Sequence, residues 1–251
     1  MEFRPCIDLH NGCVKQIVGS SLRDDSATAV ENFVSTLPPE YYAEMYRKDN
    51  LTGGHVIMLG QGNQHAARAA LTAWPGGLQV GGGINAANAR CWLDAGAAGV
   101  IVTSYIFSDG QIRHDRLNEL VKNVGTERLI LDLSCRKRGG RYFIVTDRWQ
   151  NFTETEVNAE SLGELAKSCS EFLIHAVDIE GKQAGIDETL ITIIANSSPV
   201  PAVYAGGIRS LDDLKTIRRI GNGRVAYTVG SALDIFGGNL NYRDVVEFAH
   251  G

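Results

Sequence analysis

Short apolar runs rich in β-branched residues alternate along the chain with longer segments whose apolar positions recur every three or four residues. The runs predict strands over 4–8, 54–59, 78–80, 99–103, 128–132, 172–177, 202–205 and 225–229. The longer segments predict helices over 39–48, 63–74, 86–95, 115–124, 158–168, 187–196, 210–220 and 242–250. Asp187 and Ser210 stand where helix caps are expected, with acidic residues in the turn that follows. Val100-Ile101-Val102 and Leu129-Ile130-Leu131 are apolar at every position, as in a parallel sheet covered on both faces. Eight βα units in 251 residues predict an α/β fold, a (β/α)8 barrel in one domain. A doubly wound sheet is the alternative.

Two connections break the rhythm. Residues 9–38 follow the first strand, and residues 134–157 follow the fifth with a hairpin signal in CRKRGGRYFIVTD. Connections this long in a compact domain are usually functional or disordered, with plain insertion as the alternative. In a barrel both would lie on the face that carries active sites and could close over it.

The chain also repeats itself. Asp132 in LDL follows Asp8 in IDL by 124 positions, and Gly206-Gly207-Ile208 follows Gly82-Gly83-Ile84 by the same 124. That offset predicts two duplicated half-barrels, about 1–124 and 125–251. Gly206, Gly207, Arg209, Gly230 and Ser231 then fall at the loops after strands seven and eight, where barrels hold phosphate. Gly82, Gly83, Thr103 and Ser104 form the matching set across the axis. Two anion sites imply a substrate with a phosphate at each end; the alternative is glycines that only make tight turns. Gly81-x-Gly83-x-x-Ala86 fits a dinucleotide fingerprint, but it sits at the third strand and its repeat lacks the spacing.

Asp8 and Asp132 end opposed strands between the two sets. Paired carboxylates in one cleft can divide acid and base roles. Asp178 and Glu180 are further acid candidates. His175 in the sixth strand is a candidate for substrate binding or else a satisfied core histidine, and Trp149 could stack on a flat heterocycle or pack the loop.

Composition narrows the class. Net charge is −5 and no stretch is apolar enough to span a membrane, so neither a nucleic-acid coat nor an integral membrane protein is expected. Five cysteines without a CxxC pair and six histidines without HExxH predict no metal site. The polar residues of MEFRPCIDLH argue against a signal peptide and for the cytoplasm.

FRPCIDLHNGCVKQIVG, VGGGI, LDLSCRKRGGRYFIVTDRWQ and YAGGIRS with VGSALDIF resemble the ProFAR isomerase family of histidine biosynthesis over essentially the whole chain, closest to its eukaryote-like branch. The resemblance implies an Amadori rearrangement by an aldose–ketose isomerase, without a cofactor. ProFAR, a bisphosphorylated aminoaldose, becomes the aminoketose PRFAR. Proton acceptor and donor fall on Asp8 and Asp132, in a monomer acting on a small molecule. Three departures stand out. Val177-Asp178-Ile179-Glu180-Gly181 is shorter than the family's bacterial motif and lacks its Thr, Thr103-Ser104 replaces glycine, and Asn85 stands where Arg often follows GGGI. The sister cyclase, which shares the duplication and both aspartates, is the alternative, and a non-catalytic phosphate-binding barrel is another.

Overall fold

A computed structural model describes residues 1–17, 31–147, 149–182 and 184–251. Eight strands form the barrel: β1 (Cys6–His10), β2 (Gly54–Met58), β3 (Leu78–Gly81), β4 (Gly99–Val102), β5 (Leu129–Asp132), β6 (Glu171–His175), β7 (Ala202–Ala205) and β8 (Val225–Tyr227). Each pairs in parallel with the next, as in Asp8 beside Ile57 and Leu173 beside Asp132. The barrel closes through Phe3, which bridges Tyr227 in parallel, with Arg4 N donating to the Tyr227 carbonyl at 2.9 Å. The fold is thus the (β/α)8 barrel that the alternation predicts.

Helices α1 (Pro39–Lys48), α2 (Gln64–Ala73), α3 (Ala89–Asp94), α4 (His114–Val124), α5 (Ala159–Leu165), α6 (Glu188–Ser197), α7 (Leu211–Ile220) and α8 (Tyr242–His250) follow the eight strands in turn. Asp187 caps α6 by accepting from Leu190 N, and Ser210 caps α7 by accepting from Asp213 N. α3 begins three residues later than predicted. Asn85 Oδ1 takes the amides of Ala87 and Asn88 in a side-chain turn that competes with the helix.

Strands apolar on both faces serve two cores. One lies between the strands and the helices. The other fills the barrel with Ile101, Ile130, Leu173, Val203 and Ala205, joined by Ile57 and Ala226. Below this plug the filling turns polar: Glu171 accepts from Arg4 at 3.0 Å and from Gln79 at 2.8 Å.

Both long connections carry structure. After β1, Asn11 and Gly12 turn the chain with positive φ (52° and 78°), and Cys13–Ile17 pairs back on β1 before pairing with Glu31–Val34. Residues 18–30 lie outside the described residues, so the expectation that this loop closes over the mouth falls there. After β5 there are three antiparallel strands, Cys135–Arg138, Arg141–Thr146 and Asn151–Glu156, rather than one hairpin. No helix among the described residues is long and apolar enough to cross a membrane.

Candidate active site

Asp8 ends the apolar part of β1 on the barrel's axis side, and its Oδ2 accepts from Gln16 Nε2 at 3.0 Å. Gln16 sits on the strand that folds back over β1, so the Asn11–Gly12 turn is what brings this amide to the carboxylate. The two share a cleft of about 550 Å³ with His175, Glu180, Gly206, Gly207, Gly230 and Ser231. Burial, and then the Glu180 charge, push the Asp8 carboxyl up to about 6, against the opposing pull of His175 and of the Gln16 hydrogen bond. Glu180 is itself raised by burial, and its buried Oε2 has no hydrogen-bond partner. Gly206 and Gly207 hold φ of 120° and 73°, which side chains rarely adopt. A Cβ at Gly206 would come within 3.1 Å of Glu180 Oε2, so glycine lets that carboxylate lie against the loop.

Asp132 ends β5. Its Oδ1 accepts from Ser134 N at 3.0 Å, from Ser134 Oγ at 2.8 Å and from His175 Nδ1 at 3.2 Å. Burial disfavours a charged His175, but the Asp132 charge and hydrogen bond, with Glu180 and Asp8 nearby, outweigh it and raise the imidazole to about 9. His55 on β2 shows the reverse. Burial, then His175 and Arg4, lower it to about 3, so it is a neutral ring on the cleft floor with Nε2 unpartnered.

A second cleft of about 1860 Å³ opens at the other side of the mouth. Gly82, Gly83, Thr103, Ser104 and Trp149 line it, and Ile57 borders both clefts. Arg68 of α2 reaches this cleft with its guanidinium 5.0 Å from the Trp92 ring centre. Trp149 has φ 67° and sets its ring 5.9 Å from that of His175, so it stands between the two clefts.

Two of the sequence-chosen residues are placed differently, and a third has an added role. Asp178 is corrected from acid candidate to clamp: it is exposed, bound to Arg136 Nε at 2.8 Å and to Lys137 N at 3.1 Å, where it fixes the strands after β5. Arg209 is not among the cleft's lining. Its amide donates to Asp213 Oδ2 at 2.9 Å and its exposed guanidinium leans toward the same carboxylate and Gly185. Ser104 lines the second cleft, yet its hydroxyl also accepts from Asp147 N at 3.2 Å and so anchors the loop that carries Trp149. Sequence reading missed Gln16, His55 and Arg68. The Asn-Gly turn signal could have found Gln16; the other two carry no motif.

Carboxylates of unequal environment at one end of a closed barrel, between two clefts whose glycines open the backbone, suit proton transfer on a small molecule. The chain is an enzyme of the (β/α)8-barrel class. Residues 2–240 match the family described as histidine biosynthesis protein, and the chain belongs to that family. It is 54% identical over 98% of its length to a chloroplastic phosphoribosylaminomethylideneamino-imidazole-4-carboxamide isomerase, ProFAR isomerase, from Medicago truncatula, covering 81% of that protein. It is 52% identical to the isomerase of the same name from Neurospora crassa, over 98% of both chains. The Saccharomyces cerevisiae isomerase is 47% identical, over 95% of this chain and 94% of that one.

Proposed function

We propose that the protein is the ProFAR isomerase of histidine biosynthesis, converting the bisphosphorylated aminoaldose to its aminoketose. The full-length likeness to curated isomerases carries this reading over the sister cyclase and over a non-catalytic barrel. A turnover assay tests it: the isomerase needs neither ammonia nor a glutaminase, and absence of turnover with ProFAR would refute the reading.

In this reading the substrate lies across the mouth, with one phosphate at Gly206, Gly207, Gly230 and Ser231 and the other at Gly82, Gly83, Thr103 and Ser104. Trp149 stacks on the heterocycle between them. Asp8 is the base and the Asp132 end of the mouth supplies the acid. Glu180, buried beside Asp8, holds that carboxylate's affinity for a proton up. The chain works as one domain of two halves, 1–124 and 125–251, as a monomer in the cytoplasm.

The Gly82–Gly83 side has a clean probe. Gly83 has φ 70° and nothing within 4 Å of a Cβ built on it, and Asp tolerates that backbone better than most residues. By contrast a Cβ at Gly207 would meet the Gly185 carbonyl, so a substitution there disturbs the loop as well as the ligand. Gly83→Asp puts a negative charge against the phosphate. Charge-assisted hydrogen bonds are worth roughly 1.5–3 kcal/mol each. KM should rise at least about tenfold with kcat nearly kept, and an unchanged KM in a folded variant would remove the phosphate from this cleft.

Arg68 supplies the cation where Asn85 stands in place of arginine. Asn85 is occupied by its own side-chain turn, whereas the Arg68 guanidinium lies in the cleft. Arg68→Ala should raise KM about five- to tenfold, the lower range of such contacts because this side chain is exposed. A normal KM would take Arg68 out of the site.

A further inference from the structure

The buried acid–base groups of the mouth are not equivalent in what their hydrogen bonds leave free. Asp132 directs Oδ1 at three donors, one of them a backbone amide, and it is not among the residues lining the cleft that holds Asp8. His175 spends Nδ1 on Asp132 and Ser134. Its Nε2 has no hydrogen-bond partner among the described residues, and the ring lines the cleft that holds Asp8. Trp149 covers one side of the ring. This is the arrangement of an imidazole fixed in one tautomer by a carboxylate behind it, with the other nitrogen facing the substrate space.

We propose that His175 is the proton donor of the isomerisation and that Asp132 is the positioning residue that orients it and keeps it charged. The proposal rests on the isomerase reading and gives its acid a specific atom. The imidazolium gives its Nε2 proton to the ribose ring oxygen as the bond from that oxygen to C1′ breaks, and the amino nitrogen's lone pair forms the C1′ imine. The Asp8 carboxylate takes the proton from C2′, giving the enolamine. Asp8 then returns that proton to C1′, while neutral His175 takes the proton of the 2′-hydroxyl as the ketone forms. Both groups end in their starting states, and the atoms of the substrate are conserved.

The charged neighbours of His175 are Asp132 from β5, Asp8 from β1 and Glu180 from the turn after β6, all favouring the imidazolium; His55 from β2 is neutral. The ring's raised value of about 9 places the loss of the donor above neutral pH. An acid whose proton is needed loses activity as pH rises through its value, so kcat/KM should fall near pH 9.

The test measures kcat/KM against pH for the native chain, His175→Gln and Asp132→Asn, and follows the ¹⁵N shifts of the His175 ring in the native protein. His175→Gln should lose about 10²–10⁴-fold in kcat with little change in KM, and with it the alkaline limb. Asp132→Asn should move that limb toward the ordinary histidine value of about 6.5, because the charge that raises it is gone. The ring shifts should show an imidazolium at pH 7.5, a measurement that needs no variant to fold. A neutral ring at that pH, an alkaline limb surviving in His175→Gln, or a limb unmoved in Asp132→Asn would each overturn the proposal. Absence of isomerisation by the native chain would overturn the isomerase reading instead, whatever the ring's charge.

Discussion

Asp8→Asn is expected to lower turnover on ProFAR by at least about a hundredfold while substrate still binds. A general base contributes typically 10²–10⁴-fold. The amide keeps the size of the carboxylate and a partner for Gln16, but cannot take a proton from carbon. Burial and Glu180 make ionised Asp8 costly in the folded state, its carboxyl lying at about 6 against the usual carboxylate range. The sign follows from that shift. The folded form holds its proton to higher pH than the unfolded form, so above pH 6 the native carboxylate lowers stability. Removing it should therefore leave the melting temperature unchanged or raise it, as when other strained site residues are neutralised. For the native enzyme the same group predicts that kcat/KM rises through about pH 6, as the base ionises. Near-normal turnover by Asp8→Asn, or an acid limb unaltered by it, would assign the base elsewhere.

The eight barrel strands were legible to within a residue or two at most ends because a parallel strand buried on both faces writes itself as an unbroken apolar run. Leu129-Ile130-Leu131 sends Ile130 into the barrel and its two neighbours to the helices, and all three have to be apolar. The helix ends that carry Asp187 and Ser210 were legible for a local reason, since a side-chain cap acts within three residues. The long connections were less so. The turn rule that predicts a hairpin at Gly139-Gly140 applies equally to Asn11-Gly12 and Asp109-Gly110, and all three pairs have positive φ at both positions. The strand Asn151–Glu156 gives a weaker signal. Its NFTETE pattern is mostly polar, and it is a strand because Arg141–Thr146 offers it a partner.

The site divides in the same way. The internal repeat carries Asp8, Asp132 and the two glycine pairs, since duplication marks them at one offset. What tunes them comes from elements far apart in sequence. Gln16 reaches Asp8 from a returning strand, His175 reaches Asp132 from the next barrel strand, and Arg68 enters from a helix. Asp178 shows the opposite error. Its position just after β6 suggests the mouth, but the side chain turns outward to Arg136 and the Lys137 amide, a choice that only the neighbouring strands decide.

At the far end of the barrel the polar plug makes the largest stability prediction. Glu171 is 7% exposed in its side chain and Arg4 is 16% exposed, with 3.0 Å between their charged atoms. Burial raises the Glu171 carboxyl, while Arg4 and then Gln79 pull it back. Removing one partner of a buried pair leaves the other charge uncompensated, at a cost of about 3–5 kcal/mol. Arg4→Met keeps most of the side-chain volume and should lower the melting temperature by about 6–20 °C at pH 7.5, given roughly 2–4 °C per kcal/mol in a chain of this size. The deficit should depend on pH. Without Arg4 the folded-state value of Glu171 rises further, so the folded protein binds a proton that the unfolded chain does not. Stability relative to the native chain is then lost as pH rises through that window and recovered as pH falls toward 5. Adding Glu171→Leu removes the stranded charge and should restore much of the loss, since apolar replacement of a whole buried pair is often neutral. Thermal unfolding of the native chain and both variants at pH 5 and 7.5 measures this. A deficit equal at the two pH values, or a double variant no better than Arg4→Met, would mean that Arg4 acts through packing and barrel closure rather than through the charge of Glu171.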